Sequence, residues 1–161
     1  QTDLSSAGGH FTPGQGACTL SLEVEVDPET GMVKLINSVA VTDNGQPINP
    51  LNLEGQMEGT AMAHFAQALF EECIVDSSGE PVNADFVDYF MPTSMESPSF
   101  KMQSIIGENP YGPFGAKGGG ESIATAALAA AANAVSNAIG VRMVDLPITP
   151  DKILKALKEK K

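Results

Sequence analysis

Pro110-Tyr111-Gly112-Pro113-Phe114-Gly115-Ala116-Lys117-Gly118-Gly119-Gly120-Glu121-Ser122 is the stretch on which the reading of this chain turns. Three consecutive glycines run directly into one carboxylate, and an alanine-rich segment, Ser122 to Ile139, follows and predicts a long helix. Glycine has no Cβ, so such a loop can bring main chain against a bound group and adopt positive φ. A glutamate at its end, at a helix N-terminus, has the placement expected of a base beside a cofactor. The plainer reading is a first-turn carboxylate favoured by the helix dipole by about 0.3–1 kcal/mol. Lys117 and the glycines also imitate part of a phosphate loop, but the lysine precedes the triple glycine and has no neighbouring Ser or Thr. An anion site of another kind stays open.

Working outward, Leu20, Leu22, Val24 and Val26 alternate with Ser21, Glu23 and Glu25, the period of a half-buried strand. Asp27-Pro28-Glu29-Thr30-Gly31 predicts a hairpin turn, with a return strand over about 32–42 whose core positions would be Val33, Leu35, Val39 and Val41. Asp43 to Pro50 is rich in turn formers. A helix is expected from Leu53 to about Ile74, placing Met57, Ala61, Phe65, Ala68, Leu69 and Glu72 on related faces. Gly55 and Gly59, four apart, permit close approach of another helix or a ligand, and Gln56 between them offers an amide that both donates and accepts. Ser99 to Ile106 predicts a third strand, Gly140 ends the alanine helix, and Thr149 can cap a final helix starting at Pro150. The expected fold is α+β: a small antiparallel sheet, two long helices and a short C-terminal helix, with residues 1–17 as an irregular lead-in and 18–161 as one domain.

The 161 residues, 42% of them hydrophobic, suffice for one domain with a sizeable core. Twenty acidic against nine basic residues give a net charge of −11, which argues against nucleic-acid and anionic-membrane partners. Cys18 and Cys73 stand far apart without metal-binding spacing; two buried thiols in a reducing cytoplasm is the expectation, a disulfide the alternative. His10 and His64 belong to no recognisable ligand set, so no protein-held metal is expected. The alanine-rich segment is long enough to span a membrane, but Asn133, Ser136 and Asn137 in its second half favour a packed internal helix. No signal segment opens the chain, and Gln1 in first place suggests a processed piece or a fragment of something longer.

Taken in order, Glu23-Val24-Glu25-Val26-Asp27-Pro28-Glu29-Thr30-Gly31, the Asp43–Pro50 loop, Gly55-Gln56-Met57-Glu58-Gly59, Asp88-Tyr89-Phe90-Met91-Pro92-Thr93, the Gly115–Glu121 loop and Pro147–Ile153 closely resemble the C-terminal region of the molybdenum-binding subunit of the xanthine dehydrogenase and aldehyde oxidase family. The resemblance covers nearly everything from Cys18 onward. It implies that Glu121 is the general base, accepting the proton of a molybdenum-bound hydroxide as that oxygen attacks an electrophilic carbon. It also implies that Gln56 hydrogen-bonds the pterin of a molybdopterin-type cofactor, and that Gly119 and Gly120 bring main chain to the same group.

The upstream half of such a subunit, which holds the other side of the cofactor and most substrate-selecting side chains, is not in this sequence, nor are FAD or 2Fe-2S modules. The resemblance therefore implies an oligomeric complex in the cytoplasm: this chain, the remainder of the molybdenum subunit, FAD-binding and iron-sulfur components, and a small-molecule substrate of N-heterocycle or aldehyde type. Alone, the chain is expected to be inactive. Gly119 stands where valine is common in the family, and Asn44 and Gln46 sit at variable positions. Two rival functions are a non-catalytic assembly or dimerisation domain that binds no molybdenum, and a phosphate-binding domain built on the Lys117 loop.

Overall fold

A computed structural model describes residues 16–160, so His10 and nearly all of the expected lead-in lie outside it. The order is β1 (Cys18–Val26), β2 (Val33–Asp43), α1 (Pro50–Leu69), β3 (Ser99–Ile105), a single 3-10 turn (Pro113–Gly115), α2 (Glu121–Ile139) and α3 (Pro150–Glu159). The class is α+β, as expected. The sheet order is β1-β2-β3, and β1 and β2 form the expected antiparallel hairpin. At its tip Gly31, with φ 74°, donates its N–H to the Asp27 carbonyl at 2.8 Å, and the Asp27 carboxylate accepts from the Glu29 N–H and the Thr30 hydroxyl, each at 2.8 Å.

Two expectations about the sheet are corrected. β3 pairs with β2 in parallel, so the sheet is mixed and not antiparallel. The cause is the connection: α1 carries the chain back along the sheet before β3 begins, the crossover a parallel neighbour requires. The core positions of β2 are also reassigned. Glu23 pairs with Asn37 but Val24 pairs with Leu35, leaving Ile36 as the extra residue of a bulge. Beyond it the inward face is Ser38, Ala40 and Thr42, all buried, while Val39 and Val41 point outward.

One face of the sheet is covered by α2, which packs on β1, and by α1, which packs on α2 and β3. Their buried stripes, Met57, Ala61, Phe65, Ala68 and Leu69 on α1 and Ile123, Ala127, Ala131, Val135 and Ile139 on α2, form the core with Leu35 and Ala40. The alanine-rich segment is thus a packed helix against the sheet. Alanine at its crossing positions lets the two helix backbones approach closely.

The first long helix begins and ends earlier than expected. Asn49 caps it, accepting from the Asn52 N–H at 3.1 Å, Pro50 occupies the first helical position, and Phe70 terminates it with φ −128°. Glu72 therefore lies outside the helix and is exposed. α2 ends on Gly140 in the left-handed conformation, φ 66°, as expected, and Lys160 reaches across from the end of α3 to donate to the Ile139 carbonyl at 2.7 Å. Thr149 precedes α3 but makes no capping hydrogen bond. Both cysteines are free. Cys18 is half-buried, and burial raises its thiol pKa, whereas Cys73 is exposed, contrary to expectation, because it follows the helix end in irregular chain.

Candidate cofactor-facing site

The site forms where the glycine loop crosses the start of α1 and enters α2. Glu121 is the first residue of α2 and its side chain is exposed. Gly120 is the N-cap and has no side chain with which to close the helix end; its carbonyl accepts from the Ile123 N–H at 3.0 Å, and the Glu121 and Ser122 N–H groups are left for other partners.

Gly119 and Gly120 owe their missing side chains to α1. A Cβ on Gly120 would stand 2.7 Å from Thr60 Oγ1 and 3.5 Å from the Gln56 carbonyl, and one on Gly119 would stand 2.7 Å from Leu53 Cδ1. A valine at 119 would thus require Leu53 to move. The sequence reading assigned this closeness to a bound group; the structure gives at least part of it to a neighbouring helix. The same packing brings Gln56, Gly119, Gly120 and Glu121 to one place. Gly118, by contrast, has open space where a side chain would be, as do Gly55 and Gly59 on the exposed side of α1 around Gln56.

The loop is held from below by Asp43, Asn44 and Gly45, directly beyond the bulged strand. Asn44 is buried: its Nδ2 donates to the carbonyls of Gly118 at 2.9 Å and Gly119 at 3.1 Å. Its Oδ1 accepts from the Thr42 hydroxyl and, at 3.1 Å, from Ser104 Oγ. The Lys117 N–H donates to the Asn44 carbonyl at 2.9 Å and the Gln46 N–H to the Gly115 carbonyl at 3.0 Å. Gly45 has φ 61° and lies so close to Gly115 that a Cβ would stand 2.1 Å from its carbonyl oxygen.

Lys117 Nζ lies 2.6 Å from Asp43 Oδ2, with the two side chains 8% and 19% exposed. That ammonium, with the Gly45 and Gly107 N–H groups at 3.1 Å, holds the Asp43 carboxyl below the usual carboxylate range, the Lys117 bond being the largest cause. Lys117 is therefore committed within the chain, which weakens the phosphate-loop reading. The sequence reading gave Asp43 and Asn44 no role at the site, because the loop residues they hold, Lys117 and Gly118, lie 74 positions away. Their only local signal is the turn-forming Asp43-Asn44-Gly45 triplet.

His64 Nδ1 donates to the Thr60 carbonyl within α1 at 2.8 Å, and no cluster of three metal-ligating side chains occurs among the described residues. The Ser122 hydroxyl, in the first turn of α2, is buried and has no hydrogen-bond partner among the described residues. An exposed amide at Gln56, open main chain at Gly55, Gly59 and Gly118, an uncapped helix end and an unpartnered hydroxyl together fit a polar ring system laid against backbone.

An α+β scaffold that leaves a glycine-lined, polar surface beside an exposed carboxylate defines a cofactor-cradling domain. The chain belongs to the molybdopterin cofactor-binding domain family, which it matches over residues 4–98, within the xanthine dehydrogenase and aldehyde oxidase group of molybdenum oxidoreductases. It is 37% identical to the nicotine 6-hydroxylase large subunit of Paenarthrobacter nicotinovorans, over 96% of this chain and 18% of that one. It is 33% identical to the carbon monoxide dehydrogenase large chain of Hydrogenophaga pseudoflava, over 84% of this chain and 17% of that one. Among solved structures, quinoline 2-oxidoreductase from Pseudomonas putida 86 superposes with a TM-score of 0.79 at 35% identity, covering 84% of this chain and 18% of the other. Aldehyde oxidoreductase from Desulfovibrio gigas does so with a TM-score of 0.80 at 32% identity, covering 88% and 15%. The chain thus spans less than a fifth of the length of each of these proteins.

Proposed function

We propose that this chain supplies the general base and one wall of the cofactor pocket of a molybdenum hydroxylase acting on an N-heterocycle or aldehyde-type substrate. The observation that carries the reading is the convergence of Glu121, Gln56 and the glycine loop at one exposed position, in a chain of this family. The cofactor, when bound, supplies the two-electron oxidation that accompanies transfer of a water-derived oxygen to the substrate.

The residues of this chain do the rest of what is proposed here. Glu121 accepts one proton at its carboxylate; a positioned base of this kind contributes about 10²–10⁴ in rate. The Gln56 amide donates to and accepts from the polar edge of the pterin. The Gly118–Gly120 main chain and the first turn of α2 present N–H groups to it, with Ser122 as a further donor. The active unit would be a cytoplasmic complex with the remainder of the molybdenum subunit and with FAD and 2Fe-2S components that carry electrons away. Relatives named as a large subunit and a large chain agree with such an assembly.

The test is Glu121→Gln in the complete assembled enzyme. Molybdenum content should stay at the wild-type level while hydroxylation falls at least a hundredfold, the lower part of the range for losing a positioned base. Turnover within a few-fold of wild type would remove Glu121 from the mechanism.

A further inference from the structure

We propose that Asn44 is a positioning residue for Glu121, acting through the carbonyl groups of Gly118 and Gly119; this rests on the reading of Glu121 as the base. Three glycines in a row are the least constrained main chain a protein can place ahead of a reacting group. Something outside the loop must fix them: Leu53 and Thr60 lie against Gly119 and Gly120, and among the described residues Asn44 is the side chain that hydrogen-bonds the loop's glycine carbonyls. Both protons of its amide are used on successive glycine carbonyls, at 2.9 and 3.1 Å. Both acceptor positions of Oδ1 are filled by the Thr42 and Ser104 hydroxyls, from neighbouring parallel strands. The amide's capacity is thereby exhausted. Its side chain is buried, and its own carbonyl holds the Lys117 N–H.

The α1–α2 packing does not depend on this amide, because the two helices are in contact and both bury their apolar stripes, Met57, Ala61 and Phe65 on α1 and Ile123, Ala127 and Ala131 on α2, in one core. Asn44 sets the loop, while the core sets the helices. A loop free to re-aim its last peptides displaces the first residue of α2 by fractions of an ångström to an ångström. Misplacement on that scale can cost about a hundredfold in rate.

The experiment compares Asn44→Asp and Asn44→Ser with wild type in the complete enzyme. Aspartate keeps the shape but turns an ionised oxygen toward the glycine carbonyls. Its protonated form restores one donor, so the variant should lose kcat at high pH and recover part of it at low pH, an ionisation absent from wild type. Serine keeps a single short donor and should give an intermediate loss. Both should show unchanged molybdenum content and KM, a fall in kcat of about 10–100-fold, and faster amide exchange confined to residues 118–123. Wild-type exchange over 118–123 in both folded variants overturns the proposal, as does loss of molybdenum in proportion to activity. Should Glu121→Gln prove active while loop exchange still rises, the base assignment has failed and the clamp has not.

Discussion

Gly120 and Thr60 occupy one space: a methyl group on Gly120 would stand 2.7 Å from Thr60 Oγ1. This contact presses the entrance of α2 onto α1 and sets how far apart Glu121 and Gln56 stand. The φ and ψ of Gly120, −98° and −36°, suit any residue, so sterics alone demand glycine.

Gly120→Ala should therefore destabilise the chain by about 1–3 kcal/mol, the usual range for overpacking. Removing the opposing hydroxyl should relieve it, since Thr60 Cβ lies at an ordinary 3.7 Å from the new methyl. A double-mutant cycle with Thr60→Ala, read by denaturant unfolding, should show strong favourable coupling. Additive costs would mean that the helices yield freely and that the contact fixes nothing.

The Asp43–Lys117 pair predicts a pH dependence with a definite sign. The carboxyl is held below its ordinary value in the folded chain, first by Lys117 and then by the Gly45 N–H. Its stabilisation is complete above the unfolded carboxylate pKa, about 3.9, and disappears as pH falls through the lower folded value. Lys117→Met should flatten the acid limb of a Tm-against-pH curve. It should not abolish it, because Asp27, Asp76, Glu96 and Asp151 are held low by hydrogen bonds of their own. Superimposable acid limbs for the two proteins would contradict the assignment.

At the far end of α2, Gly140 has φ 66° and faces the Lys160 ammonium, 2.5 Å from where a Cβ would lie. Gly140→Ala should cost about 1–2 kcal/mol for the left-handed backbone, and it should also displace Lys160 from the Ile139 carbonyl. Gly140→Asn, better tolerated in that conformation, should cost less of the backbone part. Thermal unfolding of the two variants orders them.

Much of this architecture was legible. Period-two alternation located β1, the Asp27–Gly31 turn located the hairpin, and alanine content with Gly140 bounded α2. The ordered motifs pointed to the family and drew attention to Gln56 and Glu121. What escaped was non-local. The clamp under the glycine loop joins Asn44 to Gly118, 74 positions apart, and the parallel pairing of β3 follows from a crossover whose direction no local pattern records. The start of α1 was missed for a different reason. Asn49-Pro50 is a sound cap signal, but it closes a run of turn formers and reads as more of the same loop.

The bulge at Ile36 is the clearest case of a hidden determinant, and it can be tested. Valines at 33, 39 and 41 with Leu35 look like one buried face, yet the extra residue moves Val39 and Val41 to the outer surface and turns Ser38, Ala40 and Thr42 inward. Val39→Thr should then change stability by no more than about 0.5 kcal/mol. Ala40→Val, one position on and 1% exposed, should cost about 1–3 kcal/mol by overpacking against the helices. Deleting Ile36 should remove the bulge and restore unbroken alternation from Leu35 onward, with Ser38, Ala40 and Thr42 still inward, Val39 and Val41 still outward and Asn44 still under the glycine carbonyls. That variant should stay folded, and its glycine loop should keep wild-type amide exchange. Loop exchange raised well above wild type in the folded deletion would show that the bulge shapes the turn at Asn44 beyond choosing the face of the strand.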